Sequence, residues 1–230
     1  DAAYSRRFVD LFGPPRDRFE PVDPGTAQGR HYADVAASAQ RVLEEVIVDI
    51  ATAFRRETGL ADLCLGGGVA LNGVANARIL REAGFERLFV PSAPGDAGCA
   101  LGAALWADRI LFGQPHRDCP DHPFWGPAVE PDDLARLAAE DGLAFERAAE
   151  ADMIDNVADA IGRGAIVGWM EGAVEFGPRA LGHRSILADP GDAAMRDRIN
   201  RDIKFRESFR PFAPVVPVEQ AATFFELPPG

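Results

Sequence analysis

Long apolar runs are missing from this 230-residue chain. No stretch of roughly eighteen apolar residues occurs, so no membrane-spanning helix is expected. The opening "DAAYSRRFVD" lacks the apolar core of a secretory signal. Cysteine is scarce: Cys64, Cys99 and Cys119 are widely spaced, with no CxxC pair and no Cys/His zinc pattern. That argues against a disulfide framework and for reduced thiols in the cytoplasm. Positive charge is in deficit, with 24 Lys and Arg against 36 Asp and Glu, a net charge of −12. A general nucleic-acid surface, which needs a basic footprint, is therefore disfavoured. Lysine is almost absent; Lys204 is the only one. The histidines offer no metal spacing. His31, His116 and His122 lie in helix-start or linker contexts, and His183 alone reads as structural before catalytic.

The remaining composition, 47% hydrophobic and 26% charged, is that of an ordinary soluble globular chain, large enough for one big domain or two small ones. Its charge is unevenly spread. From Glu175 to Pro211 there are eight Lys/Arg and six Asp/Glu, a net +2 within an acidic chain. A basic island in such a background suits an anion.

Periodicity places the elements. Val35, Ala39, Val42, Val46, Ile50 and Phe54 recur at helical spacing and stop at Gly59, which predicts one long amphipathic helix. Leu63 to Leu65 read as a short buried strand, followed by a loop at Gly66–Gly68 and a helix from about Leu71 to Glu82. "RLFVPSAP" is a second strand, and "GDAGCALGAALWADRILFG" is a small-residue helix expected to pack closely on a neighbour. The alternation predicts an α/β fold. Between Gly113 and Pro131 the pattern dissolves into prolines, which marks an interdomain connection. "DDLARLAAEDG", opened by an acidic cap, and "DMIDNVADAIGRG" read as short helices. "AIVGWM" is a strand, "GDAAMRDRIN" a helix, and "FAPVVPV" an extended segment.

Three segments carry chemistry. In "GGGVALN", glycines between a strand and a helix let backbone approach a ligand. A helix start offers N–H groups to phosphate, and Asn72 has both a donor and an acceptor. Taken alone the run reads as a tight turn before a ligand loop, since neither a Walker A loop nor GxGxxG is present. In "APGDAGCALGAA", Asp96 precedes a helix and reads as a metal ligand or a simple N-cap. The third segment is "EGAVEFGPRALGHRSILADP" with "KFRESFRPFAP". Glu175, Arg179, Arg184, Lys204, Arg206 and Arg210 sit there among fixed turns and apolar residues. Arg forks and a Lys point charge suit phosphate or carboxylate oxygens. The alternative is a structural ion-pair network.

Taken together and in this order, "LCLGGGVALN", "APGDAGCALGAAL", "EFGPRALGHRSILADP" and "NRDIKFRESFRPFAP" resemble the O-carbamoyltransferase family of nodulation and antibiotic-tailoring enzymes. The resemblance runs from about Tyr32 to Pro217. It implies the C-terminal part of an actin-like ATPase domain (ASKHA, sugar-kinase-like) over 1–113, a linker over 114–123, and the start of a YrdC-like α/β domain over 124–230. It implies that carbamoyl phosphate and ATP give carbamoyl-adenylate, whose carbamoyl group passes to a hydroxyl of a sugar or natural product. Gly67, Gly68 and Asn72 would line the adenylate, and Asp96 would ligate a divalent metal, iron first and magnesium second. Arg179, Lys204 and Arg210 would act on the reacting phosphates. Glu175, Arg184 and Arg206 would complete the nucleotide and carbamoyl phosphate site. The five cations are expected to converge on one oxyanion pocket.

The resemblance has gaps. The family's HxxxH metal histidines are not in this sequence, and the pattern is that of an internal portion of a longer polypeptide. Ala173 and Gly191 stand where the family commonly has Arg. A small-molecule hydroxyl acceptor is implied, a membrane is not, and an oligomer is left open. A non-catalytic nucleotide-binding module and a sugar kinase of the actin-like class remain rival readings.

Overall fold

The computed structural model describes residues 5–17, 22–115, 122–128 and 130–226. His116, Cys119 and most of the expected linker lie outside them. The helices are α1 (Arg6–Phe12), α2 (Ala27–Thr58), α3 (Gly73–Glu82), α4 (Gly98–Trp106), α5 (Pro131–Glu140), α6 (Glu150–Gly162), α7 (Met195–Asp202) and α8 (Ala221–Phe224). The strands are β1 (Asp62–Cys64), β2 (Arg87–Phe89), β3 (Val167–Met170) and β4 (Arg184–Leu187). β1 pairs with β2, and β3 pairs with β4. The fold is therefore α/β with small sheets. Among the described residues, no helix is long and apolar enough to cross a membrane.

The chain divides into two units. One is built from the chain up to Leu63 together with Gly73–Arg87. Its spine is α2, capped by the Thr26 hydroxyl, which accepts from the Gly29 N–H, and closed by Gly59 at φ 69°. A left-handed residue at a helix end is the place where glycine costs least. The buried positions of α2 are Gly29, Val48 and Ala51. α3 contributes buried Ala75 and Ile79, and Ala83 and Phe85 extend this core. The apolar stripe read from the sequence is not the buried one. Val42, Val46, Ile50 and Phe54 are each about half-exposed, because α3 packs on the other side of the helix, where Val48 and Ala51 lie. Arg78 of α3 ties the two helices, reaching Glu44 at 3.2 Å and Glu82 at 2.7 Å.

The second unit takes in Cys64–Asn72 and Leu88–Glu226. Its core is sparse: Ala70, Ala93, Met195 and Ile199 are the buried apolar side chains, joined by Glu175 and Asn200. β3 and β4 are antiparallel, with Val167 opposite Leu187 and Met170 opposite Arg184. The close packing expected of α4 is not found. None of its residues is buried, since its main contacts are with its own continuation, a π-type turn at Ala107–Leu111. α5 starts at Glu130 without a side-chain cap bond, contrary to the expected acidic cap. Pro131 at its first position and Asp132 and Asp133 in its first turn supply the start signal instead. The proline-rich connection is partly built into this unit: Gly126 N–H donates to Val174 O, and Phe176 N–H to Pro123 O.

Ile79 is fully buried between two helices that share few other large apolar groups. Ile79→Ala is expected to destabilise the first unit by about 2–5 kcal/mol, read from the urea midpoint at unchanged slope.

Candidate functional site

Three motif loops meet within the second unit. The first is the glycine loop, in which Gly67 sits at φ 95° and donates its N–H to Pro94 O at 2.7 Å. It leads into a 3-10 turn over Gly68–Leu71 that buries Ala70. Asn72 ends the turn, its N–H donating to Val69 O at 2.9 Å. The second loop is Ala93–Ala97. The third begins at Gly177, at φ 136°, where any Cβ would strike the Ser92 carbonyl. The Gly177–Ser92 approach is backbone to backbone and has no room for a side chain, whereas Gly67 is set apart by its positive φ alone. Leu71 from the first, Ala93, Gly95, Asp96 and Ala97 from the second, and Gly177 and Pro178 from the third line a cavity of about 380 Å³. A smaller cavity of about 270 Å³, in the first unit, is lined by Phe8, Phe12 and Tyr32 among others and holds no motif residue.

Asp96 is exposed, and no side-chain hydrogen bond of its carboxylate is found among the described residues. The N-cap position of α4 is Ala97, with no side-chain cap bond, so the simple capping role is not realised. No group of three His, Cys, Asp or Glu among the described residues gathers to hold a metal. Among the described residues, Asp96 therefore stands as a single candidate ligand.

Glu175 organises the third loop. It is 3% exposed, and its Oε1 accepts the N–H of Leu181 at 2.6 Å and of His183 at 2.9 Å. Its Oε2 lies 3.2 Å from Arg184 Nε. Burial pushes the carboxyl up. The backbone N–H groups of Leu181, Glu175 itself, His183 and Arg184 pull it down and win, so it is held below the ordinary glutamate value. His183 is locked as well. Its ring stacks on Phe124 at 3.5 Å and 6°, and Nδ1 lies 2.8 Å from Ala173 O. That is a structural histidine, as the lone-histidine reading held. Ala173 works here through its backbone, which bridges Ala128.

The five cations do not converge on the cavity; none of them lines it. Arg179 Nη2 reaches Leu71 O at 3.4 Å. Arg184 is tied to Glu175 and also donates to Gly177 O. Arg210 pairs with Glu207 at 2.9 Å. Arg206 donates from Nε to Asn200 Oδ1 at 2.7 Å and lies 4.9 Å over the Phe212 ring. Lys204 is exposed. The expected ring of five cations is not seen at this cavity, because local acids and backbone carbonyls hold three of them, Arg179, Arg184 and Arg210.

Sequence reasoning missed Asn200. It is fully buried at the end of α7; its Nδ2 donates to Ser208 O at 3.2 Å and Arg210 O at 2.9 Å. A polar residue beside Ile199 in an otherwise charged helix was the available signal.

Comparison with known proteins accounts for most of the chain. The family described as "Carbamoyltransferase N-terminus" matches residues 3–105, and "Carbamoyltransferase C-terminus" matches 158–229. Nodulation protein NolO of Bradyrhizobium diazoefficiens is 44% identical over 210 residues, covering 90% of this chain and 37% of that protein. Nodulation protein NolNO of Sinorhizobium fredii is 41% identical over 228 residues, covering 97% and 33%. The 3'-hydroxymethylcephem-O-carbamoyltransferase of Streptomyces clavuligerus is 33% identical over 189 residues, covering 82% and 34%. The chain thus spans about a third of the length of these relatives.

Two outcomes follow from the loop geometry. Gly177→Ala is expected to cost more than about 1 kcal/mol in denaturant unfolding, through both its φ and the Ser92 contact. Glu175→Gln is expected to be destabilising at pH 7. Because the folded Glu175 carboxyl is held low, its contribution is fully present above the ordinary value of 4.5 and is lost as pH falls through the lowered native value. The stability gap between wild type and Glu175→Gln should therefore close as unfolding is measured at progressively lower pH. A constant gap would show that the ionised carboxylate is not the source.

Proposed function

We infer, because the chain belongs to the carbamoyltransferase family, that it takes part in ATP-dependent O-carbamoyl transfer. The observation that carries this reading is the meeting of three motif loops, from distant parts of the sequence, around one cavity. On this reading, carbamoyl phosphate loses phosphate to water and leaves carbamate. A carbamate oxygen attacks the α-phosphorus of ATP, and pyrophosphate departs with its bonding electrons. The alcohol oxygen of an acceptor then attacks the carbamoyl carbon of carbamoyl-adenylate, and AMP leaves as the alcohol proton is lost. The acceptor is a hydroxyl of a sugar or natural product, the chemistry shared by the cephem enzyme's name.

This chemistry needs charge neutralisation and positioning more than covalent help from the protein. Arg179, Lys204 and Arg210 are the proposed contacts to reacting phosphates, with Arg184 and Arg206 supporting them. Gly67, Gly68 and Asn72 shape the adenylate loop. Glu175 holds the turn that carries Arg179. The proposed domain reading is an actin-like part over 1–113 and a YrdC-like part over 124–230. Asp96 would give a divalent metal one ligand; iron or magnesium would need its other ligands elsewhere. The reading places the protein in the cytoplasm, acting on small molecules and not on nucleic acid.

A nucleotide-binding relative without turnover is the second reading. It is favoured by one observation: Arg184 and Arg210 each already face an internal acid. Exchange of labelled pyrophosphate into ATP, dependent on carbamoyl phosphate, decides between them in the intact protein. Exchange is expected, and Lys204→Ala should lower its kcat/KM by about 10²-fold. Binding without exchange would support the second reading, and ADP release in place of AMP would point to a kinase.

A further inference from the structure

The loop after α7 keeps an aromatic ring in water at a cost in backbone conformation. Phe205 is 84% exposed and is the only described non-glycine residue at positive φ, 48°. A bulky side chain is disfavoured there, and the place just beyond a helix end is normally given to glycine. Neither burial nor local geometry accounts for a phenylalanine at this position.

The backbone is nevertheless firmly held. Lys204 N–H donates to Ile199 O at 2.9 Å, and Arg206 N–H to Asn200 O at 3.0 Å. The fully buried Asn200 amide fixes the next turn through Ser208 O and Arg210 O and receives Arg206 Nε. The strain at Phe205 is therefore imposed by bonds on both sides of it. Strained residues persist where the surroundings over-determine them, and such positions cluster at ligand clamps. The preceding residue is Lys204, the only lysine of the chain, exposed and with no side-chain partner among the described residues.

We propose that Phe205 is a substrate-contacting residue that stacks the base of the nucleotide whose phosphates Lys204 neutralises. A planar apolar face next to a cation matches the two chemical halves of a nucleoside triphosphate. Stacking of a base on an aromatic side chain is tolerant of detailed geometry. This inference rests on the reading that ATP is a substrate. It assigns Phe205 to the ATP-binding step, apart from the glycine-lined cavity.

Isothermal titration of ATP and of inorganic tripolyphosphate into the intact protein tests it, with Phe205→Gly and Phe205→Trp beside wild type. Phe205→Gly should weaken ATP about tenfold and leave tripolyphosphate within about twofold. Its Tm should not fall, because glycine relieves the backbone and removes no buried contact. Phe205→Trp should restore ATP affinity. Unchanged ATP affinity in Phe205→Gly overturns the proposal. Equal weakening of both ligands also does so, as does a lowered Tm, which would make the ring a packing element. Wild type that binds no ATP would instead overturn the parent reading.

Discussion

A single buried carboxylate sets the shape of the motif loop. Glu175 gathers two N–H groups of a turn that carries Gly177, Pro178 and Arg179, and it anchors Arg184 on β4. Turn N–H groups that point inward must find an acceptor, and an ionised one is the strongest available. A buried carboxylate with no such donors would instead take up a proton and release the turn. The two requirements close on each other. The turn satisfies the charge, and the charge fixes the turn that places Gly177 against Ser92.

Asn200 repeats the device with a neutral group. Its amide supplies two donors and one acceptor to the loop after α7, and all three bonds are made in a fully buried setting. The second unit has few buried apolar side chains, so it cannot rely on area alone to define its loops. Two hydrogen-bonded polar side chains do so instead. Buried hydrogen bonds of this kind fix a loop conformation where apolar packing is thin. Both sit at the base of segments that carry cations, so rigidity is concentrated beside the exposed positive charge.

The α/β class and most element positions were legible because periodicity and glycine stops are local signals. The end of α2 at Gly59 and the strand at Val167–Met170 are examples. β4 was not read as a strand, since its four residues are embedded in a motif of charge and glycine. The buried face of α2 was also misjudged. Spacing shows that a stripe exists but not which side another helix will take, and here Ile79 meets Val48 and Ala51's side of the helix. At the site, the glycine loops were visible as loops, and their meeting was not, because it rests on contacts between distant segments. Cation convergence was inferred from charge density. Density in sequence says nothing of how many arginines neighbouring acids will consume, as Glu175 and Glu207 do.

The electrostatics then sort the proposed ligands between two places. The cavity is lined by backbone and apolar groups with one ionisable side chain, the Asp96 carboxylate. ATP brings several negative charges and would be repelled by that carboxylate in an acidic chain. A carbamoyl-adenylate, with one phosphate bearing a single charge, would meet far less repulsion there. On the proposed reading, polyphosphate goes instead to the segment holding Lys204, Arg206 and Arg210, where positive charge exceeds what Glu207 alone offsets. The proposed reaction has the same asymmetry. Its first step handles a triphosphate and its second an adenylate, so a cationic loop and a nearly uncharged, glycine-lined cavity are each suited to one step and poorly suited to the other.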